Sequence, residues 1–432
     1  MKKVITYGTF DMFHEGHENM LRRAREYGDY LIVGVTGESY DVGRGKLSVK
    51  DSLADRIENV RRSGYADEII VEEYLGQKIS DIIRYGVDKF VIGDDWRGKF
   101  DHLNEYCEVV YLERTPGISS TQIREENFRQ YHIGIITDRA DDSSLITEAA
   151  KVSGFRVTGA YSADAGTAEA FSEKYGIETS CGDLAEFLQN KDIVFVNTEI
   201  DSRCEYIEVC IDAGRHVIAD PPFSLDVSKE AALLQKAKDA GLIIMYNLKS
   251  FHTQVFIQLL WMVKGGLIGD VVRVECAASK KDPAIGRLIY ELSASALHVL
   301  FSLLGTEYSD YSKSVVMKDG KLEFLTLDFS YPDASAVVSI GNNIRIDDRF
   351  EVVGTKGTVR LGENWWRADS FEIGYRGDPV TRRYNVNYEG NGFRFLIRNM
   401  LLMLEDGRTE YRLVRAEDEL RVLEILEAIE DQ

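Results

Sequence analysis

Twice along this chain, short apolar runs alternate with segments of helical period, and near Lys249 that alternation stops. In the first series Lys3–Tyr7, Tyr30–Thr36, Glu68–Val71, Lys89–Gly93 and Val109–Leu112 read as strands. Glu18–Tyr27, Ser52–Ser63 and Ile79–Tyr85 read as helices, with Ser52 as N-cap. A parallel sheet with helices on both faces is the layering that buries such a series. The charged stretch EENFRQY, Glu125–Tyr131, interrupts it. A second series then runs through strands His132–Ile136, Arg156–Tyr161, Ile193–Asn197, His216–Ala219 and Leu242–Tyr246, with helices at Ala165–Tyr175 and Ser228–Ala240. Beyond it, Asp270–Ser279, Lys321–Tyr331, Ala334–Ile340, Phe350–Arg360 and Ser370–Tyr375 alternate in polarity, the pattern of antiparallel strands with one wet face. Helices are expected at Phe251–Lys264, Ala294–Leu304 and Ala416–Ile429.

The expected architecture is α/β. Residues 1–126 form a Rossmann-like parallel sheet, 132–247 a second Rossmann-type domain, and 248–432 an α+β domain with a large, mostly antiparallel open sheet. A length of 432 residues accommodates two or three such cores.

Charge limits the partners. With 52 Lys and Arg against 72 Asp and Glu, the formal charge is −20, a field that repels nucleic acid and anionic lipid. A local basic pocket for a small phosphorylated ligand stays compatible with it. The most apolar segment, Val255–Val263, contains Gln258 and is far short of the ~20 residues of a membrane span. MKKVITYGTF reads as a strand rather than a signal peptide. Cys107, Cys181, Cys204, Cys210 and Cys276 are dispersed with no CxxC pair, which suits a reduced, cytoplasmic protein with neither disulfide framework nor zinc site.

The first strand runs straight into Gly8-Thr9-Phe10-Asp11-Met12-Phe13-His14-Glu15-Gly16-His17 and then a helix. Gly8 permits close backbone approach. A helix starting near Gly16 aims free N–H groups at an anion. His14 and His17 can both face that anion and stabilise charge that grows on a phosphate. A metal pair or two core histidines are the competing readings of these residues alone.

Taken together, GTFDMFHEGH, GDDWRGKFD (Gly93–Asp101) and RTPGISSTQIR (Arg114–Arg124) resemble the glycerol-3-phosphate cytidylyltransferase family, one of the HxGH nucleotidyltransferases, over nearly all of residues 1–126. The resemblance implies in-line attack on the α-phosphate of CTP, giving CDP-glycerol and diphosphate from glycerol 3-phosphate. It implies that His14, His17, Lys46 and Arg114 are catalytic. Gly8, Thr9, Phe10, Arg56, Asp95, Ser119, Ser120 and Thr121 would line the nucleotide site, and Arg44 and Trp96 the acceptor. Arg44 stands where the family often has lysine, and Glu15 where it usually has an aromatic. Mg²⁺ is expected on the triphosphate, with Asp11 as a candidate ligand. Ethanolamine phosphate or choline phosphate are alternative acceptors.

Residues 132–432 resemble the glucose–fructose oxidoreductase and inositol dehydrogenase family through AGRHVIADPP (Ala213–Pro222), LIGDVVRVE (Leu267–Glu275) and FEVVGTKGTVRL (Phe350–Leu361). Its chemistry is missing. The phosphate loop reads Thr137-Asp138-Arg139-Ala140-Asp141-Asp142, with no glycine and three carboxylates. Asp220-Pro221-Pro222 replaces a Glu-Lys-Pro motif, and Ser295 stands where the family has a catalytic histidine. Lys249 and His252 could line a residual pocket, and His298 reads as a core residue. NAD(P) is therefore not expected, and a structural or regulatory role is. The alternatives are a bifunctional cytidylyltransferase–dehydrogenase and a binding protein that turns nothing over. Resemblance on both halves implies a homodimer.

Overall fold

The structure is a computed structural model and describes residues 1–43, 46–47, 49–113, 129–138, 144–177, 180–280, 288–342, 344–386 and 388–430. The chain divides into two compact units, residues 1–130 with 151–154, and residues 131–150 with 155–432.

The first unit carries β1 (Lys3–Gly8), α1 (Glu15–Arg25), β2 (Tyr30–Thr36), α2 (Glu38–Gly43), α3 (Leu53–Arg62), β3 (Glu68–Glu72), α4 (Gln77–Tyr85), β4 (Lys89–Gly93) and β5 (Glu108–Leu112). The strands pair in parallel in the order β3-β2-β1-β4-β5. Both faces are buried, so alternate residues of one strand feed different cores. Val4, Leu31 and Val33 join Leu21 and Val60 on one side. Ile5, Ile32 and Phe90 join Ile82 on the other. Gly34 is required by close approach: a Cβ there would lie 2.2 Å from the Tyr7 ring. The strand order reverses between β1 and β4. The crevice beyond their carboxyl ends is where open α/β sheets hold ligands.

The second unit opens with β6 (Tyr131–Thr137), β7 (Phe155–Tyr161), β8 (Ser180–Cys181), β9 (Ile193–Asn197), β10 (His216–Ala219) and β11 (Ile244–Tyr246), parallel in the order β11-β10-β9-β6-β7-β8. An eight-stranded sheet follows: β12 (Val271–Lys280), β13 (Asp310–Lys318), β14 (Lys321–Ser330), β15 (Ser335–Asn342), β16 (Arg349–Gly354), β17 (Gly357–Leu361), β18 (Ser370–Tyr375) and β19 (Thr381–Asn385). Its order is β13-β14-β15-β12-β16-β17-β18-β19, antiparallel except for β12 beside β15. Helix Leu288–Leu304 packs on β12, β14 and β15 and against helix Ala416–Glu430. One continuous apolar core joins both sheets, from Val194 and Val217 through Leu297 to Val338 and Leu426.

The sequence predicts a single strand over Phe350–Arg360, but the structure folds it into the β16–β17 hairpin. Thr355 and Lys356 form the turn and donate their N–H groups to Asp270 and Ile268 carbonyls at 2.9 and 2.8 Å. Side chains at the flanking Gly354 and Gly357 would strike backbone oxygens at 2.3 and 2.7 Å. Strands β13 and β19, α2 and helix Phe393–Asp406 also go beyond the sequence expectation.

Candidate active site

At the carboxyl end of β1 the chain makes a tight double bend. A Cβ on Gly8 would sit 3.0 Å from the Phe10 ring. Phe10 and Met12 adopt φ of 55° and 50°, left-handed conformations that cost non-glycine residues about 1–2 kcal/mol each. The bend delivers His14 as the N-cap of α1, with φ −140° and ψ 172°. Its Nδ1 accepts the Gly16 N–H at 3.0 Å. His17 follows one turn on, and the two imidazoles stack with centroids 4.0 Å apart and planes 22° from parallel. Phe10 and Phe13 flank His17 at 5.5 and 5.6 Å. Two adjacent imidazoles thus stand at the positive end of a helix, at the sheet's switch point, as an anion site requires.

The segment after α2 is fastened to this bend. The Lys46 ammonium donates to Thr9 Oγ1. Arg56 is fully buried; its Nη1 donates to the Thr9 and Thr36 carbonyls at 2.8 and 2.7 Å, and its Nε to the Asp51 carbonyl at 3.2 Å. The structure therefore places Arg56 as a brace behind the bend. Asp11 is also buried, and its Oδ1 accepts the Lys50 and Asp51 N–H groups, both at 2.9 Å. That oxygen is committed to backbone, and among the described residues no group of three or more His, Cys, Asp or Glu side chains fits a metal ion.

Asp95 and Trp96 follow β4, the neighbouring strand, in the short helical turn Asp94–Trp96. Both are exposed; Lys99 lies 5.0 Å above the Trp96 ring and Phe100 5.7 Å from it. Glu15 is exposed as well. Arg44, Arg114, Ser119, Ser120 and Thr121 lie outside the described residues. The structure thus gathers Gly8, Thr9, Phe10, Asp11, His14, His17, Lys46 and Arg56 around one strand end, with Asp95 and Trp96 beyond the next.

A polar layer beneath the bend is absent from the sequence expectation. Thr36 Oγ1 donates toward the Gly8 carbonyl at 3.3 Å and Glu72 at 3.2 Å. Glu72 pairs with Lys78, whose ammonium lies 4.6 Å above the Tyr7 ring. The Tyr7 hydroxyl donates to Asp81 at 2.8 Å; burial, then the Asp81 carboxylate, push its pKa far up. The available signal is Glu72, a carboxylate that ends the apolar run Ile69–Val71.

In the second unit, Thr137 closes β6, and Asp138, just beyond it, accepts the Glu199 N–H at 2.7 Å. Asp220-Pro221-Pro222, with a cis Pro221–Pro222 bond, is held by Arg203. That guanidinium is 1% exposed and donates to the Asp220 and Pro222 carbonyls at 2.9 Å, to Thr198, and to the Glu291 carboxylate. Ser295 donates back to the Glu291 carbonyl at 3.0 Å. A cavity of about 130 Å³ remains, lined by Asp220, Asn247, Lys249, Ser295 and Trp366. His252 is buried apart from these: its Nδ1 meets the Asn399 amide at 2.8 Å, its ring stacks on Tyr411 at 4.4 Å, and burial lowers its pKa to about 3. His298 is a core residue paired with the buried Glu419.

Comparison with known proteins separates the two units in the same way. Residues 5–126 match the cytidylyltransferase-like family, and residues 127–248 the oxidoreductase family with an NAD-binding Rossmann fold. Glycerol-3-phosphate cytidylyltransferase of Bacillus spizizenii is 52% identical over 126 residues, covering 29% of this chain and 97% of that protein. The Staphylococcus aureus enzyme of the same name is 48% identical over 128 residues, covering 29% and 95%. The crystal structure of KijD10, a 3-ketoreductase from Actinomadura kijaniata in complex with NADP and TDP-benzene, superposes with a TM-score of 0.62 at 17% identity. It covers 70% of this chain and 98% of that one, a likeness of fold.

Proposed function

Because the chain belongs, through residues 5–126, to the glycerol-3-phosphate cytidylyltransferase family, we propose that it joins CTP to glycerol 3-phosphate, forming CDP-glycerol and diphosphate. A phosphate oxygen of glycerol 3-phosphate attacks the α-phosphorus of CTP. A new P–O bond forms as the bond to the β-phosphate oxygen breaks, and the electron pair leaves with diphosphate. His14 and His17 hold the triphosphate and donate hydrogen bonds to charge that grows in the transition state. Lys46 approaches the same anion from beside Thr9. Arg56 and Asp11 keep the bend in shape, and Asp95 and Trp96 border the acceptor side. A divalent metal, in this reading, arrives on the triphosphate.

The stacked imidazole pair at the start of α1 carries this proposal. The test is diphosphate release from CTP with glycerol 3-phosphate, ethanolamine phosphate and choline phosphate in parallel. Glycerol 3-phosphate is expected to turn over fastest. His14→Ala and His17→Ala should each lose at least about 100-fold in kcat, the scale of a lost transition-state donor. Full activity in either variant would refute the mechanism.

Residues 132–247 and 248–432 form, in this reading, an appended unit that transfers no hydride. The support is the sequence, in which Thr137–Asp142 lacks a glycine and Ser295 stands where the family has a histidine, together with an Asp220–Pro222 segment whose carbonyls are taken by Arg203. Titration with NADH and NADPH, followed by nicotinamide fluorescence, should show no saturable binding. Saturation together with oxidation of a polyol would establish the bifunctional alternative.

A further inference from the structure

We propose that Asp51 is a positioning residue for the nucleotide: with Asp11 it forms a reciprocal latch that holds the arm bearing Lys46 against the Thr9–Met12 bend. The proposal rests on the cytidylyltransferase reading of this site. Each carboxylate accepts backbone N–H groups from the other's segment. Asp11 Oδ1 takes the Lys50 and Asp51 amides at 2.9 Å. Asp51 Oδ2 takes the Met12 amide at 2.8 Å. Met12 and Phe10 are the two left-handed residues of the bend, so Asp51 grips the chain where its conformation is least favoured by itself. Arg56 closes the exchange from behind, bonding the Thr9 carbonyl on one side and the Asp51 carbonyl on the other.

Asp51 is not needed to start α3. Ser52 performs that task, its Oγ accepting the Asp55 N–H at 3.2 Å. The Leu53 amide is satisfied by Glu38 at 2.8 Å. What the Asp51 side chain adds is a fixed relation between two phosphate-facing elements, the His14–His17 corner and the arm that ends at Lys46. Two such elements bind one triphosphate well only if their spacing is set beforehand. Without the Asp51 carboxylate the arm would keep its Asp11 bonds and the Lys46 N–H bond to the Asp41 carbonyl at 2.8 Å but lose its hold on Met12, the ligand would have to restore the spacing, and CTP affinity would fall.

The experiment uses the full chain. CTP binding is measured by calorimetry, and kcat and KM by diphosphate release. Asp51→Ala is expected to weaken CTP binding, and to raise the KM for CTP, by roughly tenfold. The KM for glycerol 3-phosphate should stay within about twofold and kcat within about threefold, a split that general destabilisation would not produce. Asp51→Asn keeps an oxygen for the Met12 amide and should restore most of the affinity. Lys46→Ala should cost a similar factor, and the Asp51→Ala/Lys46→Ala pair no more than Lys46→Ala alone, because the latch acts through the lysine. If Asp51→Ala does not fold, Asp51→Ser, too short for the Met12 amide, replaces it with the same expectations. Unchanged CTP affinity in the variant, or a double variant that loses the product of the single factors, overturns the latch. A wild-type protein that binds CTP but makes no CDP-alcohol overturns the proposed function and leaves the latch standing. Absence of CTP binding overturns both.

Discussion

Glu230→Gln gives the sharpest test of how the second unit is held together. Glu230 and Glu419 are both fully buried. Glu230 Oε2 accepts the Phe223 and Ser224 N–H groups at 2.9 and 3.1 Å, just past the Asp220–Pro222 segment. Glu419 contacts His298, and Tyr246 is buried nearby, its own pKa raised by burial and by the two carboxylates. Burial, then the neighbouring Glu419 charge, lift the Glu230 pKa well above its ordinary 4.5, so the fold favours the protonated acid. The sign follows from linkage. A raised folded pKa contributes stability that is fully present below about pH 4.5 and is lost as pH climbs through the folded value, because the unfolded chain gives the proton up first. Each pH unit in that window removes about 1.4 kcal/mol. Glutamine reproduces the protonated acid: its oxygen can take both amides and its –NH₂ can donate to Glu419. The variant should match wild type near pH 5 and gain on it as pH rises, by at most about 1.4 kcal/mol per unit and only until the folded pKa is passed, roughly 2–3 °C in Tm per unit for a domain this size. Denaturant unfolding of both proteins from pH 5 to 9 reads this difference, in which titrations remote from Glu230 cancel. A pH-independent difference, or a variant weaker throughout, would show that the fold does not favour the protonated form of Glu230.

Three further outcomes are expected. Arg203→Met should cost about 3–5 kcal/mol in urea unfolding, because it strips one buried guanidinium from a carboxylate and from several carbonyls; a loss under about 1 kcal/mol would contradict the bracing role. Gly390→Ala should destabilise by a similar amount, since φ there is +86° and a Cβ would lie 2.3 Å from Glu148 Oε1, inside its buried fork with Arg394 at 2.8 and 2.9 Å; a wild-type melting curve would refute it. Burial raises the Cys204 thiol to about 11 and the Cys210 thiol to about 12. At pH 8 the Cys204 thiolate is then about one part in a thousand, so iodoacetamide should label these cysteines only after unfolding. Mass spectrometry showing native labelling at the rate of an exposed cysteine would exclude that.

Strands buried on both faces announce themselves as apolar runs, which is why both parallel sheets, apart from the two-residue edge strand β8, are legible in the sequence with boundaries off by a residue or two. Half-wet strands are harder. Polarity alternates straight through the β16–β17 turn, and only Gly354 and Gly357 betray the reversal. Edge strand β13 is largely exposed and spells DYSKSVVMK, with little apolar contrast to read. At the site, the histidine corner is legible because strand, bend and helix start are consecutive. Arg56 is less so: an arginine that grips phosphate and one that braces carbonyls look alike in one dimension. Its position four residues before the buried Val60, on the inner face of α3, is the cue. Asp51 has no cue at all, since its partner is a backbone amide 39 residues away.

The N-cap at His14 also fixes the tautomer of its neutral ring. A ring nitrogen that receives the Gly16 N–H cannot carry hydrogen itself, so the neutral imidazole wears its proton on Nε2. It can therefore donate to a phosphate oxygen while uncharged. In the proposed reaction, the helix cap rather than a second side chain would therefore decide which ring nitrogen donates.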